Sequence, residues 1–406
     1  MILKLAWRNI WKNRKRSIIT ILSIFIAVFL ALFIRSMQLG MYDSVIDNVA
    51  GKFTGYIQIH AKGYWEDRNL DNTLVYSDSL REKILQIEGV KDVVPRIETF
   101  ALASTGNRSK GVFVNGMDAD KEQKLTPVGD RLMEGEVFIE GEDVVILGKG
   151  LAKYFEVNVG DTLFLIGQGY HGMSAAGRFL VKGIIDMKNR DLNRSLVMMP
   201  IGVLQNYLSS PEIVTSLIAA KEENADELLI QKRLQGVLDT DEYEVMSWQE
   251  MIPELHQAIV ADNIGGLYMV FILYMVISFG IFSTVLMMTQ ERIFEFGILT
   301  AIGMKKSLII KTLWVETGIL SALGLLAGIL PAYPIMLYFH KNPMPLPTEK
   351  ADVMEKFGFL PEIAFSTDLD ILLYHGALIF FISLVIVFYP TFKILYLNTL
   401  TAMHKK

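Results

Sequence analysis

The sequence lacks cysteine, which excludes disulfide bonds and thiolate metal sites. Its six histidines do not have the spacing of metal ligands. A net charge of −5 gives no overall basic surface that would favour nucleic acid. The G-x-x-x-x-G-K-[ST] phosphate loop is also missing, and no catalytic triad or carboxylate pair stands out. These absences predict a protein that is not an enzyme and holds no metal.

Long runs without charge are what the sequence does contain. Only 20% of its 406 residues are charged and 51% are hydrophobic, which suits a chain with both membrane and soluble parts. Four runs are long enough to cross a hydrocarbon core of ~30 Å. These predicted spans are residues 17–37, 264–289, 312–339 and 371–392.

The distribution of lysine and arginine predicts the orientation of these spans. Residues 1–16 carry six such residues together with Trp7 and Trp11, the pattern of an interfacial amphipathic helix on an anionic leaflet. Segment 290–311 carries four and the tail 393–406 carries three. The positive-inside rule therefore places both termini and segment 290–311 in the cytoplasm, with the loop 340–370 outside.

The long stretch 38–262 contains no further candidate span and predicts a soluble extracytoplasmic domain. Two α/β parts, at about 41–105 and 200–260, flank a β-rich insert at about 106–199, whose short strands and glycine-rich turns favour a small barrel or sandwich. The predicted fold class is thus an α+β membrane protein: four transmembrane helices with a large extracytoplasmic α/β domain carrying a β-rich inserted subdomain.

The interspan segment, residues 290–311, is the most distinctive part of the sequence. Glu291 and Glu295 have the i, i+4 spacing of one helix face, and Gly303 followed by lysines predicts a helix stop. Glu316, inside the third run, is an ionisable group whose cost at mid-membrane is about 2.5 kcal/mol or more. It could pair with Lys311 or with backbone donors near the interface, or it could have a functional role.

The interspan segment resembles the signature segment of FtsX-like permeases, the ABC transporters that include the MacB and lipoprotein-releasing systems. The matching positions are Glu291, Arg292, Glu295, Gly297, Ala301, Ile302, Gly303 and Glu316, and Met304 completes the expected coupling segment. Stretches 145–152, 157–161, 181–185 and 198–201 are similar, in order and spacing, to the β-rich extracytoplasmic part of the same family.

This resemblance implies a multi-pass protein of the bacterial inner membrane. Residues 291–304 would form a coupling helix that docks on a separate ABC ATPase. That ATPase would bind ATP and Mg²⁺, so this chain would need no cofactor of its own. A second permease copy or a paralogue would complete a dimer among the membrane lipids, and mechanotransmission would carry the motion of the ATPases to the outer domains.

The expected cargo is a lipoprotein released from the outer leaflet, since no ATPase is fused to the permease and residues 55–74 resemble lipoprotein-release relatives. Large apolar side chains at the outer ends of the first two spans are the candidate cargo-facing residues: Phe29, Phe33, Leu267 and Phe271.

One feature departs from the family. Residues 167–177 are short and proline-free, where relatives carry a protruding, proline-bearing hairpin that recruits a periplasmic chaperone. Docking of a periplasmic chaperone or adaptor therefore stays open. So do two other functions, efflux of peptides or drugs and activation of a cell-wall hydrolase. A sensory receptor with two spans would need a cytoplasmic output domain. The third and fourth predicted spans argue against that class.

Overall fold

The structure is a computed structural model that describes residues 2–12, 14–126, 128–187, 189–210, 212–223, 225–346 and 362–396. It divides into two compact units. The helical unit comprises Met1–Asp43, Ala258–Met344 and Ile363–Lys406, and the sheet unit comprises Ser44–Gln257 and Pro345–Glu362.

The helices are numbered in chain order. They are α1 (Ile2–Lys12), α2 (Arg14–Ile46), α3 (Tyr64–Asp67), α4 (Asp78–Leu85), α5 (Ala119–Leu125), α6 (Lys149–Phe155), α7 (Arg190–Ser195), α8 (Ile201–Tyr207), α9 (Glu227–Val237), α10 (Trp248–Met251), α11 (Pro253–Glu291), α12 (Ile293–Ala301), α13 (Lys306–Lys341), α14 (Leu369–Ile386) and α15 (Phe388–Leu395). A π-helical segment, Asp47–Thr54, continues α2.

The strands are likewise numbered in chain order. They are β1 (Ile57–Ala61), β2 (Leu74–Val75), β3 (Val90–Ser104), β4 (Ser109–Met117), β5 (Leu132–Gly135), β6 (Val144–Gly148), β7 (Thr162–Gln168), β8 (Ser174–Ile185), β9 (Leu196–Pro200), β10 (Ile213–Val214), β11 (Ser216–Lys221), β12 (Tyr243–Ser247), β13 (Met344–Pro345) and β14 (Glu362–Ile363).

Within the described residues, four helical segments are long and apolar enough to cross a membrane: Arg14–Thr54, Pro253–Glu291, Lys306–Lys341 and Leu369–Leu395. The first and second segments extend well beyond the predicted spans 17–37 and 264–289, because polar turns continue each helix. Glycines of α13 allow close packing on α2, since a Cβ at Gly324 would lie 2.6 Å from Ile24 and one at Gly328 would lie 2.7 Å from Val28.

The sheet unit is built around one continuous sheet that partly closes on itself. Strands β12, β1, β11 and β3 follow one another as antiparallel neighbours. From β3 the order continues through β4, β9, β6 and β8, and β7 then pairs with both β8 and β3. The closed ring therefore contains six strands, β3, β4, β9, β6, β8 and β7. Of the two forms that the sequence favours, a small barrel or a sandwich, this is the barrel.

The long strand β3 belongs to both parts of this sheet. Its first half pairs with β11 at Val93 and Val94, and its second half pairs with β7 at Leu102 and Ala103. One hydrophobic core contains Ile57 and Leu217 together with barrel residues such as Leu163 and Val181. The β-rich part therefore shares a strand and a core with the α/β part, and it is more tightly integrated than the predicted insert at about 106–199.

A buried ion pair joins this sheet to α5. Arg96 of β3 donates from Nε to Glu122 Oε2 at 3.0 Å, and both side chains are 1% exposed. Thr126 Oγ1 lies 3.5 Å from Arg96 Nη2, and Arg96 also donates to the carbonyl of Phe53. Every partner here comes from the sheet unit.

We predict that Arg96→Met lowers the free energy of unfolding of the sheet unit by about 3 kcal/mol or more, because it leaves a buried carboxylate unpaired. Pulse proteolysis in urea measures this change. The matched control is Arg81→Met: Arg81 lies 3.4 Å from Asp92 in a partly exposed pair, which is expected to contribute less than about 1 kcal/mol. Equal losses in the two variants would contradict the prediction.

Candidate coupling site

The interspan segment forms a short helix between two long ones. Helix α11 ends at Glu291, and Arg292 adopts φ −94° and ψ 0° before α12 begins. The N–H of Arg292 donates to the carbonyl of Thr289 at 3.2 Å, an i→i−3 bond that tightens this turn. Glu291 and Glu295 therefore belong to different helices. The prediction that one helix contains both residues is wrong because the chain bends at Arg292, although both carboxylates pair with residues of segment 1–16.

The predicted helix stop at Gly303 is confirmed. Gly303 has φ +98°, a region that favours glycine. Its N–H donates to Thr300 at 3.1 Å, and the N–H of Met304 donates to Leu299 at 3.0 Å. Leu299 and Met304 also pack in one hydrophobic cluster. These bonds and this contact are those of a Schellman motif, so the end of α12 is fixed in position.

The bend at Arg292 is tied to the next long helix by a buried ion pair. Arg292 Nη1 donates to Glu316 Oε2 at 2.7 Å, and the side chains are 10% and 1% exposed. The guanidinium also lies 5.2 Å from the ring of Phe296. Lys311, the partner considered from the sequence, is exposed. Lys311 was one of the partners considered because it is close in the chain, whereas folding brings Arg292 next to Glu316.

This ion pair is costly to break. Removing one partner of a buried pair leaves an uncompensated charge, at a cost of about 3–5 kcal/mol. Glu316 Oε1 has no hydrogen-bond donor among the described residues, and a cavity of about 190 Å³ borders the pair. The pair is therefore better suited to fixing the position of α12 than to adding net stability.

The N-terminal arm, residues 1–16, contributes three further polar contacts. Asn9 Nδ2 lies 3.5 Å from Glu316 Oε2. Lys12 Nζ lies 2.9 Å from Glu295 Oε1, and Arg16 forms an ion pair with Glu291. Sequence reasoning missed these partners, although a basic arm and two interspan glutamates were both visible in the sequence.

Apolar contacts complete the anchoring of α12. Phe296 packs with Ile309 and Leu313 of α13 and with Ile394 of α15. Ile10 of α1 packs with Met288 of α11 and Leu320 of α13 in a separate cluster. The start of α12 and the helices around it are thus held by side chains from both ends of the helical unit.

The predicted coupling residues divide into two groups. Arg292 and Gly297 are buried, and Glu295 and Met304 are half-buried. The exposed members lie mainly at the far end of α12, where Ile302 is 79% exposed: Glu291, Ala301, Ile302 and Gly303. Phe294, at the start of α12, is also exposed. The far end presents an apolar surface next to a shallow pocket lined by Leu299, residues 302–305, Ser307 and Leu308.

The candidate cargo-facing residues do not form one surface in this chain. Leu267 and Phe271 are exposed on α11. Phe29 and Phe33 are half-buried and stack on each other at 6.0 Å between ring centroids, and Phe33 also packs on Phe365 at 5.0 Å. Their role stays a prediction.

The fold and this site define a class of membrane protein: helices able to span a membrane, a large sheet unit after the first of them, and a short anchored helix between the second and third. Two family models match the chain. The MacB-like periplasmic core domain matches residues 17–235, and the FtsX-like permease C-terminal domain matches residues 267–399. The chain therefore belongs to the family of ABC transporter permeases with a MacB-like periplasmic core domain and an FtsX-like permease domain.

Individual relatives are distant. The chain is 23% identical over 268 residues to the lipoprotein-releasing system transmembrane protein LolE of Haemophilus influenzae, covering 63% of each chain. It is 24% identical over 363 residues to the macrolide export ATP-binding/permease protein MacB 1/2 of Paracoccus denitrificans, covering 84% of this chain and 51% of that protein. The chain thus spans between half and two thirds of the length of these two curated relatives.

A solved structure is also similar. The periplasmic region of MacB from Actinobacillus actinomycetemcomitans matches at 15% identity with a TM-score of 0.35, covering 50% of this chain and 93% of that one.

We predict that Gly303→Ala loosens the end of α12. A non-glycine residue at this φ costs on the order of 1–3 kcal/mol. Gly318→Ala is the matched control, because neither glycine has an atom within 4 Å of an added Cβ and only Gly303 has a positive φ. Trypsin cleavage after Lys305 in the solubilised chain measures the effect and should accelerate in Gly303→Ala alone. Unchanged cleavage in that variant would contradict the prediction.

Proposed function

We propose that this chain is the permease subunit of an ABC transporter, and that the exposed end of α12 docks on a separate ATPase. The observation that supports this most directly is that the far end of α12 is exposed and apolar, whereas the start of α12 is anchored. Ile302 offers a contact surface at the far end of α12, while Arg292 at its start is held in a buried ion pair. The partner ATPase would bind ATP and Mg²⁺, and this chain would bind neither.

The proposed mechanism is mechanical. A displacement of α12 would move α13 through the bend at Arg292 and its ion pair with Glu316. It would move α1 through Glu295 and Lys12. The adjoining end of α11 contacts α2 through Glu291 and Arg16. Helices α2 and α11 both continue beyond the predicted spans. We infer that they carry this motion to the sheet unit, without a water-filled channel.

The proposed setting is the bacterial inner membrane, with both termini and the interspan segment in the cytoplasm and the sheet unit outside. The lysine and arginine distribution supports this orientation. A second copy of the chain, or a paralogue, would face the exposed apolar side of α11, where Leu267 and Phe271 lie. Membrane lipids would cover the other exposed apolar side chains of the predicted spans.

For cargo, we propose a lipoprotein extracted from the outer leaflet. The match to a protein named as part of a lipoprotein-releasing system supports this choice, as do the large apolar side chains at the outer ends of the first two spans. The β7–β8 connection is short, with the described turn Tyr170–Gly172 between the strands. It gives no support for docking of a periplasmic chaperone or adaptor.

Efflux of a peptide or drug is the second candidate. The match to a macrolide export protein, which extends over 84% of this chain, favours it, as does the short β7–β8 connection. Activation of a cell-wall hydrolase also stays open, although no feature of the described residues favours it.

We predict that Glu295→Lys abolishes most cargo-stimulated ATP hydrolysis in the reconstituted complex, because it reverses the charge that faces Lys12. Lys12→Glu in the same chain should restore at least half of the hydrolysis if the arm positions α12. Lys4→Glu, which changes the same arm without a contact to Glu295, is the control and should restore nothing. Normal hydrolysis in the single Glu295→Lys variant would contradict the coupling role.

The cargo proposal predicts a crosslinking pattern. A photocrosslinker at Leu267, exposed on α11, should capture a triacylated lipoprotein without ATP and lose it when ATP is added. Leu330, exposed on α13, is the control position and should capture bulk lipid only. Capture of phospholipid alone at Leu267, unaffected by nucleotide, would contradict lipoprotein release and favour the other two functions.

A further inference from the structure

The sheet unit contains a cavity of about 570 Å³ that none of the proposed steps uses. Four lysines line it: Lys52, Lys91, Lys121 and Lys221. They come from four different elements, namely the π-helical segment, β3, α5 and β11. The periodicity of a single helix or strand therefore cannot account for their meeting at one concave surface.

The two carboxylates that line the same cavity are already engaged. Asp47 Oδ2 lies 2.7 Å from Lys52 Nζ. Asp92 Oδ1 accepts the N–H of Val93 at 2.8 Å and lies 3.4 Å from Arg81. Asp47 is thus paired with one of the four lysines, and Asp92 is held by a backbone N–H and a long contact to Arg81.

The remaining lysines have weaker ion-pair partners, although Lys221 Nζ also donates to the carbonyl of Ala225 at 2.9 Å. Lys121 lies 3.3 Å from Asp118, and Lys221 lies 3.6 Å from Glu227, both longer than the 2.7–2.9 Å typical of a charge-assisted hydrogen bond. Lys91 is exposed and has no ion-pair partner among the described residues. The cavity thus keeps positive charge that could bind an added anion.

The shape of the cavity suits a small anionic group. Small residues, Gly51, Ala219 and Ala220, leave its interior open. Tyr56 forms one side, with its ring 4.8 Å from Lys221 Nζ. The volume falls within the range of about 300–1,000 Å³ that is usual for small-ligand sites.

We propose that this cavity binds a phosphate group carried on glycerol, the chemistry shared by the headgroup of an anionic phospholipid and by free glycerol phosphate. Lysine ammonium groups bind phosphate as point charges. Asp47, Gly51 and Lys52 belong to the helical segment Arg14–Thr54, which is long enough to cross a membrane. One wall of the cavity is therefore built by the same continuous helical segment that contains the first predicted span, residues 17–37.

The absence of cysteine in the chain permits a direct test. Ala220→Cys, labelled with an environment-sensitive fluorophore, reports on the cavity in the full chain, reconstituted in phosphatidylcholine nanodiscs. Titration with glycerol phosphate at constant ionic strength should give a saturable change. Lys91→Gln combined with Lys221→Gln should weaken the apparent affinity roughly tenfold or more. Lys153→Gln, an exposed lysine of α6 outside the cavity, should leave it unchanged.

A second titration, in nanodiscs of a different lipid composition, distinguishes the two sources of the ligand. In nanodiscs that contain phosphatidylglycerol, loss of the response to glycerol phosphate would assign the cavity to a lipid headgroup, and an unchanged titration would assign it to a free anion. The proposal is overturned if neither glycerol phosphate nor inorganic phosphate gives a saturable change in phosphatidylcholine. It is also overturned if Lys153→Gln weakens binding as much as the paired cavity variants, whose folding is checked by thermal melting.

Discussion

The buried ion pair between Arg292 and Glu316 is the interaction on which the rest of the coupling site depends. Arg292 occupies the bend between α11 and α12, and Glu316 lies three turns into α13. A charge within a span is costly unless it is paired, so the bend and the third long helix constrain each other. Without this pair, α12 would be joined to the long helices mainly by exposed ion pairs and apolar packing.

The other contacts extend this constraint outward. Lys12 and Arg16 bind the two interspan glutamates, which ties the N-terminal arm to the same bend. Close approach at Gly324 and Gly328 fixes α13 against α2. The exposed end of α12 is therefore connected to a set of helices in mutual contact, which is what the proposed mechanical coupling requires.

The sequence predicted the features that depend on local chemistry. Charge-free runs predicted the candidate spans, and Gly303 predicted the end of α12. Sequence reasoning failed where residues that are distant along the chain meet in the structure. Arg292 and Glu316 are 24 positions apart and Lys12 and Glu295 are 283 apart, so no local pattern links them. The closure of the barrel through β3 and β7 was likewise beyond local periodicity, which cannot show that one long strand serves two parts of a sheet.

In the proposed mechanism, Arg292 and Glu316 act as one unit that transmits force from α12. The most direct measurement is a double-mutant cycle with Arg292→Gln and Glu316→Gln, read as cargo-stimulated ATP hydrolysis by the chain reconstituted with its ATPase. We expect each single variant to lose nearly as much stimulation as the double variant, with a coupling energy of about 1 kcal/mol or more. Losses that simply add, or single variants with normal stimulation, would contradict it.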